Sequence, residues 1–155
     1  MPNIEYNIYG KGDNLNTSEI YYLADRLGLL EIVRVKGTIT NSSMKKIFRS
    51  YDYILQLSLS ESLGVAILEA MQQGVVPIVS NIGGLKDIVE NNVNGIINDF
   101  FKIDELVESI VNLINSPSQH SLFSKNCINF VNDNFNNYIE SQKLNALYKK
   151  LVKDI

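Results

Sequence analysis

Residues 53–80 read YILQLSLSESLGVAILEAMQQGVVPIVS, and this stretch decides the fold. Its two apolar runs, 53–57 and 75–79, are predicted strands, and the second is apolar without alternation, which is typical of a strand buried on both faces. Residues 64–73 between them predict a helix that ends at Gly74. A strand, a helix and a second strand in this order predict a parallel βαβ unit.

The same alternation continues in both directions from this unit. The predicted strands lie at 4–9, 31–35, 53–57, 75–79 and 95–98. The predicted helices lie at 18–27, 43–51, 64–73, 85–90 and 103–115, with two more from Pro117 and from Asn136 to about Val152. Five strand–helix alternations predict an α/β fold, a Rossmann-like three-layer α/β/α sandwich with a parallel sheet. The helices after Ile103 form a C-terminal tail packed outside the sheet.

Apolar residues at helical spacing predict which helix faces are buried. In the first helix, which Ser18 is expected to cap and Gly28 to end, the stripe consists of Ile20, Leu23 and Leu27. In the helix at 103–115, the residues expected to face the core are Leu106, Ile110, Val111 and Ile114.

The composition is that of one soluble globular domain. The 155 residues are 45% hydrophobic and 20% charged. A chain of this length buries roughly 70% of its unfolded surface, so it needs no disulfide or metal to fold. No apolar run approaches the roughly 18 residues of a transmembrane helix, and the first residues do not resemble a signal peptide. The formal net charge of −3 argues against nucleic acid as the main partner. A cytoplasmic protein is the default expectation.

The chemistry is expected in the loops after the strands, because ligands of such sheets bind at the carboxyl ends of the strands. These loops lie at 10–13, 37–43, 58–64 and 80–84. At Gly64, Val65 and Ala66, the free N–H groups of a helix start form an anion site suited to phosphate. Glu61 and Glu69 flank it, about 12 Å apart if the intervening residues are helical. That distance exceeds the roughly 5–9.5 Å between paired glycosidase carboxylates, and on spacing alone both could also be plain surface residues.

The two glutamates, with seven residues between them, belong to a longer pattern of matching positions. The other positions are Ser58, Gly64, Ala70, Met71, Gly74, Pro77, Gly83, Gly84, Asn94 and Gly95. This register resembles the donor-binding C-terminal half of retaining glycosyltransferases of the GT-B fold, family 4 (group 1) in particular. The resemblance covers roughly residues 4–115, and strands that end in glycine at Gly10 and Gly37 agree with it.

The resemblance implies a role for each matching residue. Glu61 would contact the hexose of a nucleotide-diphosphate sugar as the catalytic residue, and Glu69 would hold the ribose hydroxyls. The other donor-binding residues would be Ser62, Leu63, Gly64, Val65 and Ala66, through backbone N–H groups, together with Gly10, Gly37, Gly83 and Gly84. The loop after Gly37 would lie near the base. No metal and no other cofactor is expected, since N–H groups would stabilise the departing diphosphate.

The sequence also departs from the family. Leu57 stands where a proline is usual, and Leu63 stands where a phenylalanine is frequent. The family's first strand, which supplies an Arg and a Lys to the diphosphate, has no match here, and neither has the N-terminal acceptor domain. We therefore expect one domain that binds donor but transfers nothing alone. The full-length protein would move a hexosyl group to a sugar or lipid-linked acceptor, in the cytoplasm or peripheral to the membrane. An exposed apolar or strand-edge surface would favour a homodimer.

Two other classes of protein remain open from the residues alone. One is a sugar-nucleotide epimerase-like enzyme, which would need acid/base side chains near the sugar. The other is a non-catalytic Rossmann-like nucleotide-binding or interaction module. His120, the only histidine, is expected on a helix surface, and Cys127, the only cysteine, in the core.

Overall fold

The computed structural model describes residues 4–11, 14–99 and 101–153, and they alternate between strands and helices. The strands are β1 (Tyr6–Tyr9), β2 (Val33–Gly37), β3 (Tyr53–Gln56), β4 (Val76–Ser80) and β5 (Ile96–Asn98). The helices are α1 (Asn14–Arg26), α2 (Asn41–Phe48), α3 (Val65–Gln72), α4 (Leu85–Ile88), α5 (Ile103–Ile114), α6 (Pro117–Asn134) and α7 (Asn137–Lys153). The chain divides into two compact units, Met1–Met44 and Lys45–Ile155.

The first unit contains a two-stranded parallel sheet. In it β1 pairs with β2, with Tyr6 opposite Val33 and Ile8 opposite Val35. The N–H of Gly28 donates to the carbonyl of Asp25 just past α1, and the positive φ of Gly28, 68°, explains why glycine ends this helix as predicted.

The predicted start of α1 is wrong, and its predicted inner face is right only for Ile20, which is half-buried. The helix begins at Asn14, so Ser18 lies inside it and does not cap it. Serine inside a helix costs only a modest amount of helix propensity, so residue type alone could not fix the start of the helix. Leu23 and Leu27 are exposed, and the buried position is Ala24. A small residue allows a helix to approach its neighbours closely. The spacing of the large apolar residues gives no sign of such a contact.

The second unit is built on a three-stranded parallel sheet in the order β3-β4-β5, with β4 in the centre. All five residues of β4 are buried, which confirms the strand predicted to be covered on both faces. Val79 packs in a cluster with α3, α4 and α6 residues, and Val76 and Ile78 pack in another with α5 and α6 residues. Parallel strands covered by helices confirm the Rossmann-like α/β class.

Helix α6 packs on α3 and on β4, whereas α7 has a largely exposed apolar face. Phe123, Cys127 and Val131 of α6 recur at four-residue spacing and are all buried. The exposed apolar residues of α7 are Tyr138, Leu144, Leu147, Tyr148, Leu151 and Val152. The expected core face of α5 is right for Leu106, which is buried, and for Ile110 and Ile114, which are half-buried. Val111 is exposed, and Leu113 is buried in its place. Within the described residues, no helix is both long enough and apolar enough to cross a membrane.

Candidate functional site

The loop between β3 and α3 carries most of the predicted site residues. Gly64 directly precedes α3 and has a φ of 74°, so it occupies the N-cap position in a left-handed conformation that favours glycine. Its carbonyl accepts the N–H groups of Ile67 and Leu68 at 2.9 and 3.2 Å. A Cβ at Gly64 would lie 2.7 Å from Leu85 Cδ2, so the core of this unit also requires glycine here.

The predicted anion site falls at the start of α3. Val65 and Ala66 are its first two residues, and the N–H groups of a first helical turn have no acceptor within the helix. Val65 is exposed and Ala66 is half-buried, so a ligand can reach this end of the helix. The partial positive charge of the helix end adds to the attraction of these N–H groups for phosphate.

Gly83 and Gly84 lie directly against the backbone of this loop. A Cβ on Gly83 would stand 1.9 Å from the carbonyl oxygen of Glu61, and a Cβ on Gly84 would stand 2.1 Å from that of Ser62. Both distances are far below a real contact, so only glycine allows the two segments to pack in this way. The structure thus brings the predicted Gly83–Gly84 pair together with Glu61, Ser62 and Leu63.

The carboxylate of Glu61 is held by two donors. Its Oε1 accepts the N–H of Ser62 at 2.9 Å, and its Oε2 accepts a hydrogen bond from Nε2 of Gln56. The Ser62 N–H that was expected to face the ligand is therefore already engaged by Glu61. Gln56 was missed in the sequence analysis, although a polar residue among the apolar ones that end β3 was a usable signal.

Glu69 lies one turn into α3, four residues after Val65, and is half-buried. The expected separation of about 12 Å between Glu61 and Glu69 assumed helix throughout. That assumption is wrong, because Glu61 lies in the loop and α3 begins only at Val65. The helical part from Val65 to Glu69 advances roughly 6 Å along its axis.

In the first unit, the predicted residues Gly10 and Gly37 line a cavity of about 370 Å³. The N–H of Gly10 donates to the carbonyl of Gly37 at 3.0 Å, so the ends of β1 and β2 are held together. Lys11, Asn16 and Thr38 add polar groups to the wall. Residues 12 and 13 of the predicted loop at 10–13 lie outside the described residues. Gly37 and Thr38 belong to the loop expected near the base, and both line this cavity.

His120 and Cys127 both lie on α6 and pack against other elements of the second unit. His120 is half-buried, not on an open surface as expected, because its ring packs against Tyr53 with centroids 5.0 Å apart. Cys127 is fully buried as expected, its thiol donates to the carbonyl of Asn94 at 2.9 Å, and burial raises the pKa of Cys127 to about 12. In the part of the chain that the structure describes, no three His, Cys, Asp or Glu residues group as a metal site.

Comparison with known proteins agrees with this fold. A family model described as Glycosyl transferases group 1 matches residues 1–130. The chain belongs to this family and is a glycosyltransferase domain, as its motif pattern predicted. A relative from Escherichia coli, a UDP-Gal:alpha-D-GlcNAc-diphosphoundecaprenol alpha-1,3-galactosyltransferase, is 28% identical over 152 residues. These cover 98% of this chain and 38% of the relative.

Solved structures give the same fold. Anabaena HepE in complex with UDP superposes with a TM-score of 0.85 at 21% identity, covering 97% of this chain and 42% of that one. The C-terminal domain of a glycosyl transferase group 1 protein, LpcC of Francisella tularensis, superposes with a TM-score of 0.72 at 19% identity. The match covers 79% of this chain and 64% of that one. The GT-B likeness of the Rossmann-like fold is thereby confirmed. The chain spans about two-fifths of the length of the E. coli relative and of HepE.

Proposed function

We propose that this chain is the nucleotide-sugar-binding, C-terminal part of a retaining glycosyltransferase. The full protein would transfer a hexosyl group to a sugar or lipid-linked acceptor. The observation that carries the proposal is the Glu61–Gly64 loop, fixed by Gly83 and Gly84 in front of the N–H groups that begin α3. Such a loop offers a carboxylate to sugar hydroxyls and N–H groups to a diphosphate at one place.

The same geometry suits the proposed chemistry. As the bond between the sugar and the diphosphate breaks, the diphosphate gains negative charge. The N–H groups of Leu63, Gly64, Val65 and Ala66 and the start of α3 would stabilise that charge, in a geometry already present before the reaction. Glu61 would orient the hexose through its hydroxyl groups, and Glu69 would hold the ribose. The UDP complex of HepE and the UDP-Gal named for the E. coli relative make uridine nucleotides the first ligands to test.

We expect Glu69→Ala to weaken binding of UDP by roughly 10- to 100-fold, because hydrogen bonds to a charged group are worth about 1.5–3 kcal/mol. Isothermal titration calorimetry on the parent and variant, with UDP, GDP and ADP, measures the effect. Glu108→Ala is the matched control, since Glu108 is an exposed glutamate on α5. Binding that Glu69→Ala leaves unchanged would show that the ribose role is wrong.

We also propose that the donor binds without a metal or other cofactor. Support comes from the N–H groups at the start of α3, which would stabilise the charge of the diphosphate without a bridging ion. We expect titrations of UDP in excess EDTA and in millimolar Mg²⁺ to give the same affinity within about twofold. An affinity that EDTA abolishes and Mg²⁺ restores would contradict this.

The remaining predictions, about binding partners, depend on the exposed surfaces of the chain. The exposed apolar face of α7 and the single pairing of β1 and of β3 within the described sheets support a homodimer. A lipid-linked acceptor would bring the full protein to a membrane as a peripheral protein. The 155-residue chain, measured by itself, would bind donor without transferring the sugar.

A further inference from the structure

Gln56 is a polar residue in the run Ile54-Leu55-Gln56-Leu57, and it ends β3. Its side chain is half-buried, and Nε2 donates to Oε2 of Glu61, five residues later. Gln56 is fixed by the sheet, because β3 is paired with the buried strand β4, with Gln56 opposite Val79. The glutamine therefore links a rigid element to a carboxylate that stands on a loop.

The two hydrogen bonds of Glu61 differ in what they fix. Oε1 accepts the N–H of Ser62, the next residue, so that bond holds the carboxylate only to its own loop. Among the described residues, the side chain of Gln56 is the one that joins the carboxylate itself to a strand of the sheet. The terminal torsion of a glutamate is broad, so a single bond at one oxygen leaves the carboxylate plane free to turn.

The carboxylate keeps acceptor capacity for a ligand. An ionised carboxylate has about four acceptor positions on its two oxygens. Ser62 occupies one on Oε1, and Gln56 occupies one on Oε2. One position on each oxygen therefore remains, which suits a pair of neighbouring hydroxyl groups on a sugar ring.

We propose that Gln56 is a positioning residue that holds the Glu61 carboxylate toward the hexose of the donor. It acts through Glu61 and does not itself contact the sugar. The inference rests on the proposed function, since it requires a nucleotide sugar at this loop. It predicts different effects on two parts of that ligand, because Gln56 would strengthen the binding of the hexose and would not change the binding of the nucleoside diphosphate.

The test is a comparison of two ligands on one variant. Gln56→Met keeps the length of the side chain and removes the donor. We expect it to bind UDP as the parent does and to bind UDP-glucose or UDP-galactose, whichever the parent prefers, about tenfold more weakly, the loss of one charge-assisted hydrogen bond. Gln72→Met, the same change at an exposed position of α3, should alter neither affinity.

A double-mutant cycle gives the second readout. Once Glu61→Ala has removed the carboxylate, Gln56→Met should cause no further loss of affinity for the nucleotide sugar, because the two residues act as one unit. Gln56→Asn, whose amide is too short to reach Glu61, replaces Gln56→Met if the latter fails to fold.

Three results would overturn the inference. They are an unchanged affinity for the nucleotide sugar, an equal loss of affinity for UDP and the nucleotide sugar, and losses that add in the cycle. An equal loss would mean that Gln56 supports the loop as a whole. A parent chain that binds neither ligand would refute the proposed function itself, and the inference with it.

Discussion

Replacing Gly83 by alanine is expected to destabilise the second unit by about 3 kcal/mol and to abolish measurable donor binding. The new Cβ would stand 1.9 Å from the carbonyl oxygen of Glu61, which is a backbone atom that no side-chain rotation can move away. Overpacking costs typically 1–3 kcal/mol, and a left-handed conformation adds about 1–2 kcal/mol for an alanine. The φ of Gly83 is 45°, so both costs apply.

Urea denaturation followed by circular dichroism measures the stability, and calorimetry with UDP measures the binding. Gly28→Ala separates the two costs, because Gly28 has a φ of 68° and open space around it. We expect Gly28→Ala to lose only about 1 kcal/mol and to bind donor normally. A Gly83→Ala protein that binds donor like the parent would show that the loop does not need this close packing.

Replacing Phe123 by alanine is expected to cost about 3–5 kcal/mol, a large part of the roughly 5–15 kcal/mol that stabilises an ordinary domain. Phe123 is 1% exposed and packs with Val76 and Ile78 of the central strand and with Leu106 and Leu113 of α5. Its loss would leave a cavity where α5, α6 and the sheet meet. Donor binding should survive in the fraction that stays folded, because Phe123 is not among the site residues.

The same urea titration checks this prediction. Leu122→Ala on the preceding residue of α6 is the matched control, since Leu122 is 56% exposed and its truncation should change stability by less than about 0.5 kcal/mol. Equal losses in the two variants would contradict the assignment of Phe123 to the core.

The order of elements and the loop of the site could be predicted from the sequence because their signals are local. The unbroken apolar run before Ser80 indicates a buried strand, and Gly64 and Gly74 mark the two ends of α3. The family resemblance added roles to Glu61 and Glu69, which spacing alone left open, and the membership is confirmed. Those residue roles stay predictions until ligands are measured.

What could not be predicted depends on residues far apart in sequence. Leu23 and Leu27 have the right spacing for a core stripe, yet Ala24 is the buried residue because close approach selects a small side chain. The ring of Tyr53 packs against His120, although the two residues lie far apart in the sequence of the second unit. The hydrogen bond from Gln56 to Glu61 depends on how the loop turns after β3, and no periodicity records that turn.

The parallel sheet of the second unit has a consequence for synthesis on the ribosome. Each of its strands pairs with the next one along the chain, so pairing can begin while translation continues, at a small cost in loop closure. Val79 of β4 packs with residues of α3 and α4, which precede β5, whereas Val76 and Ile78 pack with Leu106 and Leu113 of α5 and Phe123 of α6, which follow it. A nascent chain that has released β5 but not α5 and α6 thus leaves Val76 and Ile78 of its central strand uncovered, and a chaperone would find most apolar surface to bind during this interval.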